Sequence, residues 1–273
     1  MSRTPLSRTS IRDAIDSALI ALTAAGVETP RLDAEVLLAD AMGVDRAVVV
    51  ADSRRELEPD AARAFQDAIR RRTRREPVAY IRGRRGFRHL ELHVDGRVLI
   101  PRPETEHVVE AALDLPHGAR VVDVGTGSGA LALALKHERP DLHVTATDIS
   151  PDALAVARAN GARLGLDVEW REGDLLAGLT EADAVVSNPP YVEAGTTVPA
   201  ELAYEPRVAL LGGLHVYERL VPATAATGAR FVAFEVGEDQ ASDVGTLLRA
   251  AGFATIETVP DLAGIERVVV ARR

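Results

Sequence analysis

Val121-Val122-Asp123-Val124-Gly125-Thr126-Gly127-Ser128-Gly129 reads as a buried strand that runs straight into a glycine turn. The apolar run is too short for a helix and rich in β-branched residues, which suits a strand covered on both faces. Residues 130–136 return to a helical pattern. Working outward, 143–147, 168–171, 182–186, 230–235, 255–259 and 267–271 read as strands. Between them, 151–164, 214–225 and 240–251 read as helices, the second bent or broken at Pro222. Strands alternating with helices predict an α/β fold with a mostly parallel, doubly wound sheet. Such sheets bind ligands beyond the carboxyl ends of their strands.

Those ends are chemically loaded. Gly125, Gly127 and Gly129 allow a tight turn and close approach of a ligand to the backbone. The spacing is G-x-G-x-G, whereas the dinucleotide fingerprint is G-x-G-x-x-G, so a dinucleotide, S-adenosylmethionine or packing alone all remain open. Asp148 ends the next strand, where a carboxylate accepts ribose hydroxyls or caps the helix that follows. Asp174 ends the third, placed to reach an adenine amino group or to serve as a loop aspartate. The fourth runs into Ser187-Asn188-Pro189-Pro190-Tyr191. The prolines stiffen this loop and remove backbone donors, leaving carbonyl oxygens without a local N–H. One amide side chain, free carbonyls and an aromatic ring together suit a planar –NH2 group that donates hydrogen bonds and stacks; by itself the stretch reads equally as a proline-rich turn that merely ends the strand.

The first seventy residues read as helices. Ser10 with Asp13 resembles a capping box, and Ile11, Ala14, Ala18, Leu19 and Leu22 mark one face. Thr29-Pro30 opens a second helix through Leu32, Val36, Leu37 and Met42 to Gly43, and 59–72 forms a third with Ala62, Phe65 and Ile69 inward. This module is a folding unit or a substrate-recognition domain. Residues 87–100 alternate, and Asp95-Gly96 predicts the turn of a linking hairpin. The expected division is a helical domain over 1–83, a hairpin linker over 84–100 and a catalytic domain over 101–273.

The chain has 273 residues, of which 47% are hydrophobic and 27% charged, as in a globular protein. A net charge of −9 argues against sequence-independent duplex binding. The arginines between Arg70 and Arg88 form a basic segment, read as a solvated helix end and hairpin or as a patch for an acidic protein or RNA. No cysteine is present, and the histidines lack metal-ligand spacing, so no metal site is expected. The polar stretch 1–10 and the absence of any long apolar run predict a cytoplasmic protein with no membrane association.

Gly125-x-Gly127-x-Gly129, Asp148, Asp174 and Asn188-Pro189-Pro190-Tyr191 resemble class I S-adenosylmethionine-dependent methyltransferases that modify planar amino groups. Glu76-Pro77-Val78-Ala79-Tyr80-Ile81-Arg82-Gly83, residues 99–106, Tyr204-Glu205-Pro206, Gly212-Gly213-Leu214, Glu235-Val236-Gly237 and Asp261-Leu262-x-Gly264-x-x-Arg267 are similar to the HemK/PrmC family. The resemblance runs over nearly the whole chain. It implies a Rossmann-like catalytic domain of about seven strands, the last antiparallel. It also implies methylation of the glutamine N5 in the Gly-Gly-Gln loop of peptide chain release factors, docked between the helical module and the catalytic domain. S-adenosyl-L-methionine would be the cofactor and S-adenosyl-L-homocysteine the product. Gly125, Thr126, Gly127, Ser128, Gly129, Asp148, Asp174, Leu175 and Asn188 would line the cofactor site. Asn188, Pro189, Pro190 and Tyr191 would hold the substrate, with Asn188, Pro189 and Tyr191 closest to the chemistry. Leu175 stands where some members place an aromatic against the adenine.

Competing readings are a glutamine methyltransferase of a ribosomal protein, an adenine-N6 methyltransferase of nucleic acid, and a catalytically silent S-adenosylmethionine-binding module that regulates a partner. The acidic net charge and the lack of any insertion resembling a target-recognition domain count against the second.

Overall fold

In the computed structural model, residues 9–273 are described; residues 1–8, most of the polar stretch read above, lie outside them. The chain divides into two compact units, Met1–Gly83 and Arg84–Arg273.

The first unit is helical: α1 (Ile11–Ala24), α2 (Pro30–Met42), α3 (Arg46–Ala51), α4 (Pro59–Arg72) and α5 (Val78–Arg82). Ser10 caps α1 by accepting the Asp13 N–H, and its hydroxyl donates to the Asp13 carboxylate at 2.7 Å. Thr29 does not cap α2 in this way; its hydroxyl donates to Asp33 Oδ1 at 2.9 Å. Ile11, Ile15, Leu22, Leu37, Leu38 and Phe65 fill the core, whereas Leu32 is exposed. Beside it on α2, Asp33 is buried and paired with Arg72 at 2.7 Å.

That pairing decides the character of the basic segment. Arg70 pairs with Asp67, Arg71 with Glu76, Arg72 with Asp33 and Arg82 with Asp40. Arg75 donates to the Gly26 carbonyl at 2.8 Å. These arginines have partners within the chain, Arg72 buried and Arg70 at the surface.

The second unit opens with a hairpin, β1 (Arg84–Phe87) and β2 (Leu90–His93). Its turn is at Arg88-His89, not Asp95-Gly96. Gly96 lacks the positive φ that a two-residue Asp-Gly hairpin turn requires, while Arg88 adopts φ 50°. Arg88 is held there by its side chain, which reaches Glu138 at 2.7 Å and Glu110 at 2.7 Å, and by its N–H, which donates to Glu106 at 3.1 Å. Phe87, Leu90 and Leu92 are buried in the larger unit's core, so the hairpin belongs to that unit. The chain after Asp95 leaves the hairpin, and the Ile100 N–H donates to buried Glu205 at 3.1 Å.

The rest follows as α6 (Glu106–Ala112), β3 (Arg120–Val124), α7 (Ala130–Glu138), β4 (His143–Asp148), α8 (Pro151–Leu164), β5 (Glu169–Glu172), β6 (Ala184–Ser187), α9 (Arg207–Leu210), α10 (Gly213–Ala226), β7 (Phe231–Glu235), α11 (Ala241–Ala250), β8 (Thr255–Pro260) and β9 (Glu266–Arg272). The seven-stranded sheet has the order β5-β4-β3-β6-β7-β9-β8, with only β9 antiparallel to its neighbours. Alternation along β3 sends Val121 to one face, packed with α6 and α7, and Val122 and Val124 to the other, packed with α10 and α11. Pro222 sits within α10 without breaking it. The chain steps from β3 outward to β5, returns to β6 beside β3, and continues the other way, so the strand order reverses between β3 and β6. No helix among the described residues is long and apolar enough to cross a membrane.

Candidate active site

At that reversal the carboxyl ends of β3 and β6 lie side by side, with Val124 opposite Ser187 and Thr147. The Ser187 hydroxyl donates to the Val124 carbonyl at 2.7 Å, pinning the two exits together. The Gly125 and Thr126 N–H groups both donate to the Thr147 carbonyl at 2.9 Å. The glycine turn is therefore held against β4 and opens toward the loop after β6. A cavity of about 260 Å³ lies above it, lined by Gly125, Gly127, Asp148, Asp174, Leu175 and Asn188, among others.

Gly125 and Gly127 have φ of 71° and 57°, and a Cβ on either would meet no protein atom within 4 Å. The turn thus offers bare backbone to whatever fills the cavity. Thr126, Ser128 and Gly129 do not line it. Thr126 and Ser128 are buried, and the Thr126 hydroxyl donates to Asp123 Oδ2 at 2.6 Å. Gly129 is packed against Leu133 and Trp170, where a Cβ would stand 2.9 Å from the leucine. These residues shape the turn from below.

Asp148 accepts the Gly127 and Ser150 N–H groups, each at 2.9 Å. It caps the turn from the adjacent strand and keeps lone pairs toward the cavity; burial raises its carboxyl, the two N–H groups opposing this. Asp174 lines the cavity but is ion-paired with Arg219 from α10. Leu175 takes φ 53°, a left-handed conformation uncommon for a leucine, and its carbonyl accepts the Thr147 hydroxyl at 2.8 Å. The side chain turns to the cavity wall and packs on the α10 face of the core.

Asp123 is fully buried; Oδ2 accepts Thr126 and the Ala132 N–H at the start of α7, while Oδ1 has no partner. Burial pushes this carboxyl up to about 7. Asn188 is the second orphan. Its Nδ2 donates to Thr105 Oγ1 at 2.9 Å, and its Oδ1 is buried with no partner. Among the described residues no hydrogen bond reaches the Pro189 carbonyl. Tyr191 lies outside the cavity lining. Its ring is against Gly237, its carbonyl accepts Gln240 Nε2 at 3.0 Å, and its hydroxyl faces Glu235 at 3.4 Å. Burial, then the Glu235 charge, pushes its hydroxyl up to about 12.

Several supports carried no role in the sequence reading. A Cβ on Gly212 would collide with the Pro190 carbonyl, and one on Gly213 with the Glu193 carboxylate. Val192 bridges to Leu211, and Glu193 accepts the Leu214 N–H at 3.2 Å. Glu205 holds Arg102 at 2.5 Å. Thr105 and Glu235 stand behind Asn188. Arg102, Thr105, Glu205, Gly212, Gly213 and Glu235 fall in segments that the family resemblance singles out, so their motif was visible while their geometry was not; Val192 and Glu193 lie outside those segments. Among the described residues no three His, Asp or Glu side chains gather as metal ligands.

A sheet of this topology, with a bare glycine turn and a carboxylate at the next strand end, defines a class I S-adenosylmethionine-dependent methyltransferase. Residues 13–83 match the PrmC N-terminal domain, and 105–205 match the methyltransferase small domain. The chain is 42% identical over 279 residues to a release factor glutamine methyltransferase of Koribacter versatilis, covering 97% of this chain and 99% of that one. It is 43% identical to one of Moorella thermoacetica, with the same coverage of each. The chain belongs to the release factor glutamine methyltransferase family. A methyltransferase structure from Pyrococcus furiosus, 16% identical, shares the fold at a TM-score of 0.51 over 67% of this chain and 88% of that one.

Proposed function

We propose that this chain methylates the side-chain amide nitrogen of the glutamine in the Gly-Gly-Gln loop of peptide chain release factors. The observation that carries this reading is the buried, unpartnered Asn188 Oδ1 on the cavity wall, beside the free Pro189 carbonyl. Two acceptors at one edge of a cavity match the two N–H groups of a primary amide. The 42% and 43% identical relatives, named for this activity, support the substrate assignment.

S-adenosylmethionine, when bound, supplies a methyl group on a positively charged sulfur. The bare Gly125 and Gly127 backbone and the Asp148 carboxylate fit its nucleoside, and Asp174 fits its adenine amino group once released from Arg219. Buried Asp123 and Glu235 favour the positive charge. Asn188 Oδ1 and the Pro189 carbonyl accept the two amide hydrogens and hold the nitrogen in line with the methyl. The amide nitrogen is a weak nucleophile because its lone pair is delocalised. As the new N–C bond forms and the S–C bond breaks, positive charge grows on nitrogen and both acceptors hold it more tightly. One amide proton is then released to water. Tyr191, held by Gln240 and Gly237, fixes the loop from behind.

The helical unit is the substrate-recognition module in this reading. The partner is a protein rather than nucleic acid or membrane, which the net charge of −9 supports, and the reaction takes place in the cytoplasm. The test is to incubate the chain with S-adenosylmethionine and unmodified release factor, digest, and map the product by tandem mass spectrometry. One methyl on the Gly-Gly-Gln glutamine is expected. No methyl there, with cofactor binding intact, would overturn the substrate assignment.

A further inference from the structure

Asn188 is an acceptor only if its amide is turned one way. Flipped, it would present –NH2 to the –NH2 of the substrate, donor against donor. Nothing in the Asn-Pro-Pro-Tyr loop itself selects the orientation. The selection comes from two side chains on other elements. Thr105, just ahead of α6, is buried, and its hydroxyl donates to Glu235 Oε2 at 2.5 Å. Glu235 ends β7, whose Phe234 is paired with Ser187 of β6, so the two strand ends are neighbours. An ionised carboxylate only accepts, and a hydroxyl has one hydrogen to give. With that hydrogen committed to Glu235, Thr105 Oγ1 shows Asn188 only lone pairs. It therefore takes Nδ2–H, at 2.9 Å, and leaves Oδ1 unpartnered.

We propose that Glu235 and Thr105 are positioning residues that impose one hydrogen-bond direction on Asn188 and so make it an acceptor for the substrate amide. The inference rests on the glutamine-amide reading above. It assigns no contact with substrate to either residue. The direction of the chain depends on the charge of Glu235. A protonated Glu235 donates to Thr105 and frees the threonine hydroxyl to donate to Asn188, which reverses the amide. Burial pushes the Glu235 carboxyl up to about 7, Glu104 acting the same way, while Thr105, Tyr191 and Arg267 oppose it. Tyr191 Oη also faces Glu235 Oε1, and the Tyr217 hydroxyl donates to the Glu235 carbonyl at 2.7 Å. The transfer rate should therefore fall as pH drops through about 7, because the ionised form is the one that fixes the direction.

The experiment uses the full chain with S-adenosylmethionine and unmodified release factor. It measures single-turnover rate against pH and cofactor affinity by calorimetry for the wild type, Thr105→Val, Thr105→Ser, Glu235→Gln and Asn188→Ala. Thr105→Val should lower the rate about 30-fold or more, the scale of a misdirected catalytic hydrogen bond, with cofactor affinity within about 3-fold. Thr105→Ser, which keeps the hydroxyl, should recover most of the rate. Glu235→Gln should lose the acid limb of the pH profile. Thr105→Val at the wild-type rate, or a rate loss matched by lost cofactor affinity, overturns the relay. An acid limb that survives in Glu235→Gln overturns the part given to Glu235. Should Thr105→Val fail to fold, the serine variant and the two pH profiles decide. An active Asn188→Ala overturns instead the amide reading beneath it, so the two failures are told apart.

Discussion

Asn188→Ala abolishes methyl transfer while leaving S-adenosylmethionine affinity within a few-fold. The expected loss in turnover is about 10³-fold, the upper scale for removing one preorganised group aimed at developing charge. The reason is a division of labour within one side chain. Nδ2 is committed to Thr105 at 2.9 Å, and Oδ1 is left unpartnered, the acceptor in the proposed reaction. Truncation removes the acceptor but leaves the Thr105 hydroxyl on Glu235, so the surrounding network keeps its main hydrogen bond. The glycine turn and Asp148, across the cavity, are untouched. Rapid-quench transfer assays beside calorimetry separate the effects. Parallel loss of cofactor binding would make Asn188 a cofactor ligand first.

Asp123→Asn stabilises the folded chain at alkaline pH and weakens its hold on the charged cofactor. Burial holds the carboxyl at about 7 in the fold, against 3.8 for a free aspartate. Between those values the unfolded chain is ionised while the folded one retains its proton, so stability falls as pH rises through the window and the full penalty is reached above pH 7. Across that window the penalty reaches on the order of 4 kcal/mol. An asparagine carries no such penalty: its Oδ1 accepts Thr126 and Ala132, and its Nδ2 takes the place of the unpartnered oxygen. Denaturant melts at pH 8 should show a gain approaching that figure, and melts at pH 4 none. Affinity for S-adenosylmethionine should drop about 10-fold, the scale of one lost charge interaction, and that for the uncharged thioether product less. Equal stability at both pH values would show that Asp123 is not ionised against its surroundings.

The fold was legible wherever a local signal had one physical meaning. The buried run Val121–Val124 of β3, the glycine turn and the Ser10 cap of α1 are such signals, and each stands where the pattern places it. Asp95-Gly96 misled because turn chemistry is a local preference, and the preference was overridden by distant carboxylates. Glu138, Glu110 and Glu106 clamp Arg88 and put the turn there. In the site, residues that line the cavity could be read from strand ends. The second layer could not, since Thr105 meets Glu235 130 residues away, and Glu205 meets Ile100 and Arg102 at separations of 105 and 103.

The hairpin's anchorage also says where the molecule can be divided. Asn160 of α8 accepts the His93 N–H at 2.8 Å and donates both to the His93 carbonyl and to the Ser128 carbonyl at 3.0 Å, tying β2 to the glycine turn through a single amide. A fragment that begins after the hairpin would strip Phe87, Leu90 and Leu92 from a core and leave that amide without its strand. One that begins at Arg84 would keep every group of the site with its supports. For gene fusion or module exchange, the seam that spares the chemistry is Gly83, where the helical unit ends in a left-handed glycine cap with φ 69°. A different module grafted there would inherit the second unit's cavity and its supports whole.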